Sequence, residues 1–484
     1  MSRDEKLISA QNLSFKYSES SEGINNISFD IRAGEVILLT GNSGSGKSTL
    51  LKCLNRLIPE ITEGSLTGSL EIMDQDYSKM KMHKLNKKIG SVFQNPRSQF
   101  FTDNTTAELV FPMENYGFSK EKMEERLREL KVQFGLEGLM DKNIYTLSSG
   151  ERQMIALASS MTMHQKVLLF DEPSANLDYG NAMKLGRIIK RLKNEGYTII
   201  VGDHRFYYLN GIIDRVFFME NGCLTIADSE EEFKNGNYDT RSFDIFSLDI
   251  GFESEKSRES KEHKDGKSVA TIEGAFYKDI LKDINLSLEK GQVAVLVGNN
   301  GAGKTTLAKL LCKSIKADKG EVRTDGLPFF IMQDPDYQLF GTSVRNELSL
   351  VKNRPREIDE CIEYLGLGPY KNKHPFDLSG GQKQRLQICM SLLCDRSLII
   401  FDEPTSGLDI YSMHSVADKI KELKSKAGIL VISHDYEFIR HVADRIIYLN
   451  EGSIEKNFRL DKNTLSDLNN IFIKMQEEKQ DERK

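Results

Sequence analysis

The chain of 484 residues lacks several features that mark particular classes of protein. No apolar run approaches the roughly 18–20 residues of a membrane-spanning helix, and the first residues contain no apolar stretch like that of a signal peptide. Basic residues are not in excess, because 66 Lys and Arg are scattered among 72 Asp and Glu. We therefore expect a soluble, cytosolic chain that does not bind nucleic acid directly.

Cysteine chemistry is also poorly represented. The six cysteines, at positions 53, 223, 312, 361, 389 and 394, form no C-x-x-C pair, and most stand among Leu and Ile. Buried thiols are therefore expected in place of a metal site or a disulfide framework.

Two glycine-rich segments follow apolar strands and open helices, residues 41–48 (GNSGSGKS) and 298–305 (GNNGAGKT). Both match G-x-x-x-x-G-K-[ST], in which glycines let the backbone approach phosphates and the following helix N-terminus adds a favourable dipole. Lys47 and Lys304 are expected to reach the β and γ phosphates of a nucleotide. Ser48 and Thr305 would offer a hydroxyl to the Mg²⁺ bound with it.

The two halves form an internal repeat, since residues 26–36 align with residues 283–293. Buried strands are predicted at residues 36–40, 167–170, 198–201, 293–297, 398–401 and 429–432, with helical patterns between them. Each half is therefore predicted to contain a mainly parallel α/β sheet, with ligands at the carboxyl ends of its strands.

A charge-rich segment separates the halves at residues 254–268 (SEKSRESKEHKDGKS) and is predicted to be a flexible linker. The length is too great for one ordinary core and favours two domains. The predicted boundaries are a first domain at 1–240, a linker at 241–267, a second domain at 268–475 and a charged tail at 476–484.

An apolar strand that ends in carboxylates follows each phosphate loop, at residues 168–173 (LLFDEP) and 399–404 (IIFDEP). Asp171 and Asp402 are expected to hold Mg²⁺, and Glu172 and Glu403 to polarise the water that attacks the γ phosphate. A single Asp-Glu-Pro could merely end a strand before a turn. Its repetition downstream of two phosphate loops favours the catalytic interpretation.

Between these elements, residues 147–153 (LSSGERQ) and 378–385 (LSGGQKQR) begin amphipathic helices. With these motifs the chain resembles the ATP-binding cassette (ABC) ATPases over essentially both halves. The resemblance implies an α/β fold of two tandem P-loop cassettes, each with a mainly parallel sheet, helices and a helical subdomain, and an ATPase that uses ATP and Mg²⁺. It also implies that each signature helix clamps nucleotide held by the other half, which would pair Lys47 with Ser379 and Lys304 with Ser148.

Other positions match the family one by one. Gln94 and Gln333 resemble the Q-loop glutamines that touch Mg²⁺. His204 and His434, which lie 32 and 31 positions after the catalytic glutamates, resemble the switch histidines that contact the γ phosphate. Residues 174–178 and 405–409 resemble the D-loops that pass between the sites.

The implied site residues fall into three groups. The catalytic group is Glu172, Glu403, His204, His434, Gln94 and Gln333. The Mg²⁺ group is Ser48, Gln94, Asp171, Thr305, Gln333 and Asp402. The nucleotide-binding group is Tyr17, Gly41, Asn42, Gly44, Gly46, Lys47, Ser48, Thr49, Ser148, Gly150, Tyr277, Gly298, Asn299, Gly301, Gly303, Lys304, Thr305, Thr306, Ser379, Gly380, Gly381 and Gln382. In this group Tyr17 would stack on adenine, a role for which Phe276 and Tyr277 compete in the second half, and either could instead be an ordinary core aromatic.

The stretches after the glutamines, residues 94–101 (QNPRSQFF) and 333–340 (QDPDYQLF), both fit Q-[ND]-P-x-x-Q-[apolar]-F. This pattern resembles the ATPases of energy-coupling-factor (ECF) importers of vitamins and metal ions. Residues 102–109 (TDNTTAEL) resemble their fused two-cassette form, associated with hydroxymethylpyrimidine, thiamine and cobalt uptake. That family holds coupling helices of a membrane subunit in a groove beside this segment.

The ECF resemblance implies a peripheral protein at the cytoplasmic face of the membrane. Its partners would be a polytopic transmembrane coupling subunit and a substrate-binding membrane subunit. Whether the two cassettes pair within one chain or the chains dimerise is left open, as is the cargo.

The two halves differ in three respects. The first signature has Ser149 where the second has Gly380, and Glu151 where the second has Gln382, which predicts a weaker clamp at the Lys304 site. The sequence from phosphate loop to Q-loop glutamine spans 47 positions in the first half and 29 in the second, which predicts a trimmed strand-rich subdomain. The residues on either side of the switch histidines also differ.

Two other functional classes remain open. A soluble twin-cassette ATPase that acts on ribosomes or in translation would carry a long basic helical hairpin between the cassettes, whereas this linker is short and mixed in charge. A regulatory module that does not hydrolyse ATP would have lost a catalytic Glu or His, and here both sets are present.

Overall fold

The computed structural model of the protein describes residues 6–18, 23–94, 99–236, 238–246 and 267–481. They divide into two compact units, one within Met1–Leu177 and Asn181–Asp244, the other within Asp178–Gly180 and Ile245–Lys484. Most of the predicted linker lies outside the described residues. Its described beginning is packed, because Arg241 and Phe243 are buried and the Phe243 ring lies 4.5 Å from that of Phe206.

The strands of the first half are β1 (Lys6–Tyr17), β2 (Gly23–Arg32), β3 (Val36–Gly41), β4 (Gly64–Ile72), β5 (Gln75–Asp76), β6 (Ile89–Val92), β7 (Val167–Asp171), β8 (Thr198–Gly202), β9 (Arg215–Glu220) and β10 (Cys223–Ala227). One sheet has the order β10-β9-β3-β8-β7-β6 and is parallel except for β10. A second, antiparallel sheet has the order β2-β1-β4-β5.

The helices of the first half are α1 (Lys47–Leu54), α2 (Leu57–Glu60), α3 (Met82–Leu85), α4 (Thr105–Asn115), α5 (Lys120–Phe134), α6 (Ser149–Ser160), α7 (Tyr179–Asn194) and α8 (Glu230–Asn235). Helices α4, α5 and α6 contact one another and form the helical subdomain that precedes β7.

The second half repeats this order with the strands β11 (Ser268–Tyr277), β12 (Leu281–Glu289), β13 (Val293–Val297), β14 (Lys319–Thr324), β15 (Phe329–Ile331), β16 (Leu398–Asp402), β17 (Gly428–Ile432), β18 (Arg445–Asn450) and β19 (Ser453–Arg459). Its helices are α9 (Lys304–Leu311), α10 (Val344–Val351), α11 (Pro355–Tyr364), α12 (Gly380–Leu393), α13 (Ile410–Leu423), α14 (Tyr436–Val442) and α15 (Leu465–Asp481). The sheet orders are β15-β16-β17-β13-β18-β19 and β12-β11-β14.

The prediction of a mainly parallel sheet in each half is confirmed, and the predicted strands agree with the observed ones to within about a residue. Strand β3 illustrates why a continuous apolar run predicts a strand of a parallel sheet. Val36 and Leu38 pack into one hydrophobic cluster, and Ile37 and Leu39 into another. Because successive side chains point to opposite faces, a continuous apolar run indicates a strand that is covered on both faces.

The second half is trimmed beside its antiparallel sheet. Residues 73–88 connect β4 to β6 and include β5 and α3, whereas residues 325–328 are enough to connect β14 to β15. Much of the difference predicted from the motif spacing is therefore the loss of one edge strand and one short helix.

The expectation of buried thiols fails for one pair of cysteines. Cys361 on α11 and Cys389 on α12 form a disulfide with a Cα–Cα distance of 6.0 Å. Packing of these two helices brings together cysteines whose spacing of 28 positions gives no sign of pairing. Cys53 and Cys394 are buried thiols, as expected.

Two observations on the helices bear on the predicted tail and on membrane spans. Helix α15 continues to Asp481, six residues into the segment predicted to be a charged tail. Among the helices of the described ranges, none is both long and apolar enough to cross a membrane.

Candidate functional site

Each phosphate loop connects a buried strand to a helix, β3 to α1 in the first half and β13 to α9 in the second. Gly46 (φ 107°) and Gly303 (φ 103°) adopt left-handed backbone directly before the helix. A Cβ at either position would lie 2.9 Å from a side-chain carbon of Ile24 or Leu281. Only glycine meets both demands, and it leaves the helix N-terminus open towards the loop.

The loop lysines are buried and bonded to backbone carbonyls of their own loops. Lys47 Nζ donates to the carbonyl oxygens of Gly41 and Asn42, both at 2.9 Å. Lys304 Nζ makes the matching bonds to residues 298 and 299, at 2.7 and 3.0 Å. Burial lowers the pKa of Lys304. A buried ammonium held by neutral oxygens fits a site where an anionic ligand supplies the balancing charge.

A hydroxyl and a carboxylate meet at the start of each of these helices. Ser48 Oγ donates to Asp171 Oδ1 at 3.0 Å, and Thr305 Oγ1 donates to Asp402 Oδ2 at 3.1 Å. Burial, followed by the charge of the neighbouring glutamate, raises the pKa of both Asp171 and Asp402 to about 6. These hard oxygen donors, next to a phosphate loop, suit a cation that arrives with a nucleotide.

The glutamates that follow have unusual backbone. Glu172 (φ 46°) and Glu403 (φ 50°) are both left-handed, a conformation that costs a non-glycine residue on the order of 1 kcal/mol or more. Their N–H groups donate to carbonyls on the adjacent strand segment, Gly202 O at 2.7 Å and Ile432 O at 2.9 Å. The same strained turn recurs in both halves, which supports a functional reason for it.

Three of the four other predicted catalytic side chains, Gln94, His204 and His434, lie beside these glutamates. In the first half Gln94 Nε2 donates to Glu172 Oε2 at 2.6 Å, and His204 Nε2 lies 3.5 Å from Glu172 Oε1. In the second half His434 Nδ1 lies 2.6 Å from Glu403 Oε1. Gln333 is exposed at the position equivalent to Gln94.

Within the described part of the chain, one buried ring nitrogen of each switch histidine lacks a hydrogen bond, and in His204 it is the nitrogen that lies 3.5 Å from Glu172 Oε1. Both are buried, and among the described residues Nε2 of His204 and of His434 has no hydrogen-bond partner. A buried nitrogen of this kind is costly to leave unsatisfied, and a phosphate oxygen could satisfy it.

Both signature helices begin with a capping box. Ser148 N donates to the Glu151 carboxylate at 2.8 Å in α6, and Ser379 N donates to Gln382 Oε1 at 3.0 Å in α12. The reciprocal bonds to the serine hydroxyls are also present. Glu151 and Gln382 therefore share one orientation and differ in charge. A Cβ at Gly380 would meet no atom within 4 Å, so its own unit has room for the serine found at position 149.

The two tyrosines predicted to stack on adenine lie at equivalent ends of strands. Tyr17 ends β1, and its hydroxyl lies 2.9 Å from Thr49 Oγ1 on α1. Tyr277 likewise ends β11 and is partly buried, whereas Phe276 points the other way along the strand and is exposed. This equivalence favours Tyr277 over Phe276.

Two buried carboxylates were missed by the sequence analysis. Glu108 and Glu347 lie in the first turns of α4 and α10 and accept hydrogen bonds from the backbone around residues 101 and 340. The available signal was their position, because each stands seven residues after the final Phe of the Q-[ND]-P-x-x-Q-[apolar]-F motif.

Each half thus carries the geometry of a P-loop nucleotide-binding domain. A family model described as "ABC transporter" matches residues 24–175 and 281–406, which is more than half of the chain. The chain belongs to this family and is an ATP-binding ATPase with two cassettes.

Relatives match along almost the whole length. A Treponema denticola protein described as an ABC transporter ATP-binding protein is 37% identical over 480 residues, covering 94% of this chain and 97% of its own. A Methanosarcina acetivorans protein with the same description is 29% identical, covering 91% of this chain and 83% of its own.

Solved structures show the same fold. "RNase-L Inhibitor" has a TM-score of 0.66 at 22% identity, with 95% of this chain and 93% of that chain covered. An archaeal ribosome recycling factor in complex with a ribosomal stalk protein has a TM-score of 0.66 at 21% identity, with 95% and 92% covered.

The raised pKa of Asp402 predicts a pH-dependent stability effect. Its folded-state pKa of about 6 is higher than the ordinary value of 3.8, so ionisation of Asp402 lowers the free energy of unfolding. This loss of stability is complete above about pH 6 and absent well below pH 3.8. Asp402→Asn should therefore raise the free energy of unfolding of the nucleotide-free protein by on the order of 2 kcal/mol at about pH 8, and by much less at about pH 4.

Urea unfolding at both pH values measures this effect, with the exposed Asp279→Asn as a control that should change neither. An equal gain at both pH values would contradict the electrostatic explanation.

Proposed function

We propose that the protein is the ATP-hydrolysing subunit of an ECF-type membrane importer, bound to the cytoplasmic face of the membrane. The observation that carries this proposal is a pair of exposed phenylalanines, each beside a Q-loop and held outward by buried polar contacts. The membrane-crossing part of the importer would be the polytopic coupling subunit that the ECF resemblance implies.

The two phenylalanines are unusually exposed for large apolar side chains. Phe101 is 76% exposed and Phe340 is 78% exposed. In each half the second glutamine of the motif closes the loop before them. Gln99 Oε1 accepts from Phe93 N at 3.2 Å, and Gln338 Oε1 accepts from Met332 N at 3.1 Å. Residues 95–98 of the first copy lie outside the described residues.

Buried glutamates hold the loops from beneath. Glu108 Oε2 accepts from the backbone N–H of Phe101 and Thr102 at 3.0 and 2.9 Å. Glu347 Oε2 accepts from Phe340 N at 2.7 Å and from the next residue at 2.5 Å. A carboxylate that accepts two backbone donors fixes the loop strongly. An apolar side chain held in water by such contacts supports a role in recognition of a partner.

A groove lies beside Phe101 in the first half, with a volume of about 370 Å³. Its lining includes Phe101, Phe111 and Tyr116, and the rings of Phe101 and Phe111 stack with centroids 5.0 Å apart. In the second half Leu350 has the same offset from Glu347 as Phe111 has from Glu108, and it is also exposed. These apolar surfaces suit a short amphipathic helix of a polytopic membrane subunit.

At the nucleotide sites we propose roles that follow the resemblance. When bound with ATP, Mg²⁺ would neutralise phosphate charge, held by Ser48 and Asp171 in one site and by Thr305 and Asp402 in the other. The lysines would bind the β and γ phosphates. Glu172 or Glu403 would orient and polarise the attacking water, and the switch histidine would contact the γ phosphate.

We also propose composite sites on the basis of the family resemblance. The Lys47 site would be completed by the signature at residues 378–382 and the Lys304 site by the signature at residues 147–151. Closure on two ATP molecules and reopening after hydrolysis would then drive the membrane partner.

The first test concerns catalysis. Glu172→Gln together with Glu403→Gln should lower Mg²⁺-dependent ATP turnover by about a hundredfold or more, because both sites lose the carboxylate proposed to polarise the attacking water. ATP affinity should persist, since the phosphate loops are untouched. Steady-state hydrolysis and equilibrium nucleotide binding of the double variant measure the two effects, and undiminished turnover would remove these residues from catalysis.

The second test concerns the partner. Phe101→Asp with Phe340→Asp should abolish co-isolation with a polytopic membrane protein and a substrate-binding subunit from detergent-solubilised membranes, because binding would desolvate the new charges. Basal hydrolysis should stay within about twofold of the unmodified protein, since neither residue reaches the nucleotide. Val132→Asp and Ile473→Asp change exposed apolar residues elsewhere and serve as matched controls.

Loss of the membrane partner in the controls as well would rule out the phenylalanines as the docking contact. Recovery of ribosomes in place of membrane proteins, lost on the Phe substitutions, would support the twin-cassette ATPase that acts in translation.

A third test addresses inequality of the sites. In the proposed pairing, Glu151 places a negative charge near the nucleotide of the Lys304 site, where Gln382 is neutral at the other site. Even partly screened, this repulsion is on the order of 1 kcal/mol, enough for a several-fold slower rate. Glu172→Gln should therefore lower turnover at saturating ATP more than Glu403→Gln does. Equal losses, or the reverse order, would show that the signature residue does not set the rates.

A further inference from the structure

The residues on either side of the switch histidine differ in charge between the halves. Asp203 and Arg205 flank His204, whereas Ser433 and Asp435 flank His434. Asp203 and Arg205 are both buried, although charged side chains are seldom buried without a specific partner.

The guanidinium of Arg205 bonds to the turn that follows Glu172. Its Nη2 donates to the carbonyl oxygen of Ser174 at 2.5 Å and to that of Ala175 at 3.0 Å. The same turn is closed by Ala175 N, which donates to Glu172 O at 3.2 Å. One buried cation thus bonds to two carbonyls of a turn whose first residue has left-handed backbone.

Asp203 also joins the segment around His204 to the turn after Glu172. Its carboxylate accepts from Arg205 N at 3.0 Å, from Ser174 N at 3.3 Å and from the Tyr208 hydroxyl at 2.8 Å. The turn after Glu172 and the segment around His204 are therefore joined by hydrogen bonds in both directions, with one buried positive and one buried negative charge.

The second half makes the same connection with different chemistry. Thr405 Oγ1 donates to Asp435 Oδ2 at 3.3 Å, and Asp435 N donates to Ser433 Oγ at 3.1 Å. Asp435 also caps α14, a helix that the first half replaces with a single 3-10 turn at Tyr207–Leu209. Arg205 therefore stands where the second half has a helix-capping carboxylate.

We propose that Arg205, supported by Asp203, is a positioning residue for the first cassette that sets the geometry of Glu172 against His204. The inference rests on the proposed role of Glu172 in polarising water. Charge-assisted bonds to Ser174 O and Ala175 O hold the turn that keeps Glu172 in its left-handed conformation. The backbone of Arg205 directly follows His204, so one side chain fixes both groups.

Arg205→Met keeps the length of the side chain and removes both donors. In the Glu403→Gln background, where only the Lys47 site keeps its proposed catalytic glutamate, it should lower kcat for ATP by about tenfold, because a small displacement of a catalytic group is costly. ATP affinity and KM should be unchanged, since the phosphate loop makes none of these contacts. Arg205→Lys retains the charge and one bond at a time, and should recover part of the loss.

Arg126→Met is the matched control. Arg126 is equally buried in the same unit and donates to the carbonyls of Met161 and Thr162, at the end of α6 away from the signature. Its loss should lower the unfolding midpoint as Arg205→Met does, but leave kcat per folded molecule unchanged.

A double-mutant cycle with Glu172→Gln separates positioning from folding. If Arg205 acts through Glu172, adding Arg205→Met or Arg205→Lys to the variant that carries both Glu172→Gln and Glu403→Gln should cause no further loss of turnover. A further tenfold loss in that variant, or an unchanged kcat when Arg205→Met is added to Glu403→Gln, would overturn the inference while leaving the role of Glu172 intact. No effect of Glu172→Gln itself would instead refute the proposed role of the glutamate, and the inference with it.

Discussion

The nucleotide sites depend on charged groups that the fold keeps away from water at the carboxyl ends of parallel strands. Lys304 and Asp402 are both buried, and burial lowers the pKa of Lys304 and raises that of Asp402, which favours the neutral form of each. Glu403 stands next to Asp402, so two carboxylates share one small region. Such a cluster is costly in the ligand-free protein and becomes favourable when phosphate and a cation balance its charges. Ligand binding and local stability are therefore coupled.

The rest of each unit keeps this cluster in place. The parallel strands are apolar on both faces, and helices and a second sheet cover them, which holds the strand ends rigidly. The glutamate turns are left-handed in both halves, and each is joined to the segment that carries the switch histidine. Arg205 in one half and Asp435 in the other both bond to the turn that follows the glutamate, although their charges are opposite. This connection needs a hydrogen-bond donor or acceptor at the right place and not one particular residue.

The two halves share the nucleotide geometry and differ around it. The first half has β5 and α3 between β4 and β6, whereas residues 325–328 alone connect β14 to β15 in the second half. The first signature helix is capped by a glutamate and the second by a glutamine, in the same orientation. In contrast, the exposed phenylalanines and the glutamates beneath them recur in both halves. This recurrence supports the proposal that both surfaces bind a partner.

The sequence by itself predicted the repeat, the parallel strands and most of the residues that the fold brings together beside each phosphate loop, because glycine, lysine and carboxylate at this spacing suit phosphate and cation binding. It did not reveal Glu108 and Glu347, since a glutamate in an amphipathic helix is normally exposed. Nor could it explain Arg205, whose partners are carbonyls 30 and 31 positions away. Only the tertiary structure decides which polar groups are buried together, because burial and hydrogen-bond partners follow from how distant segments pack.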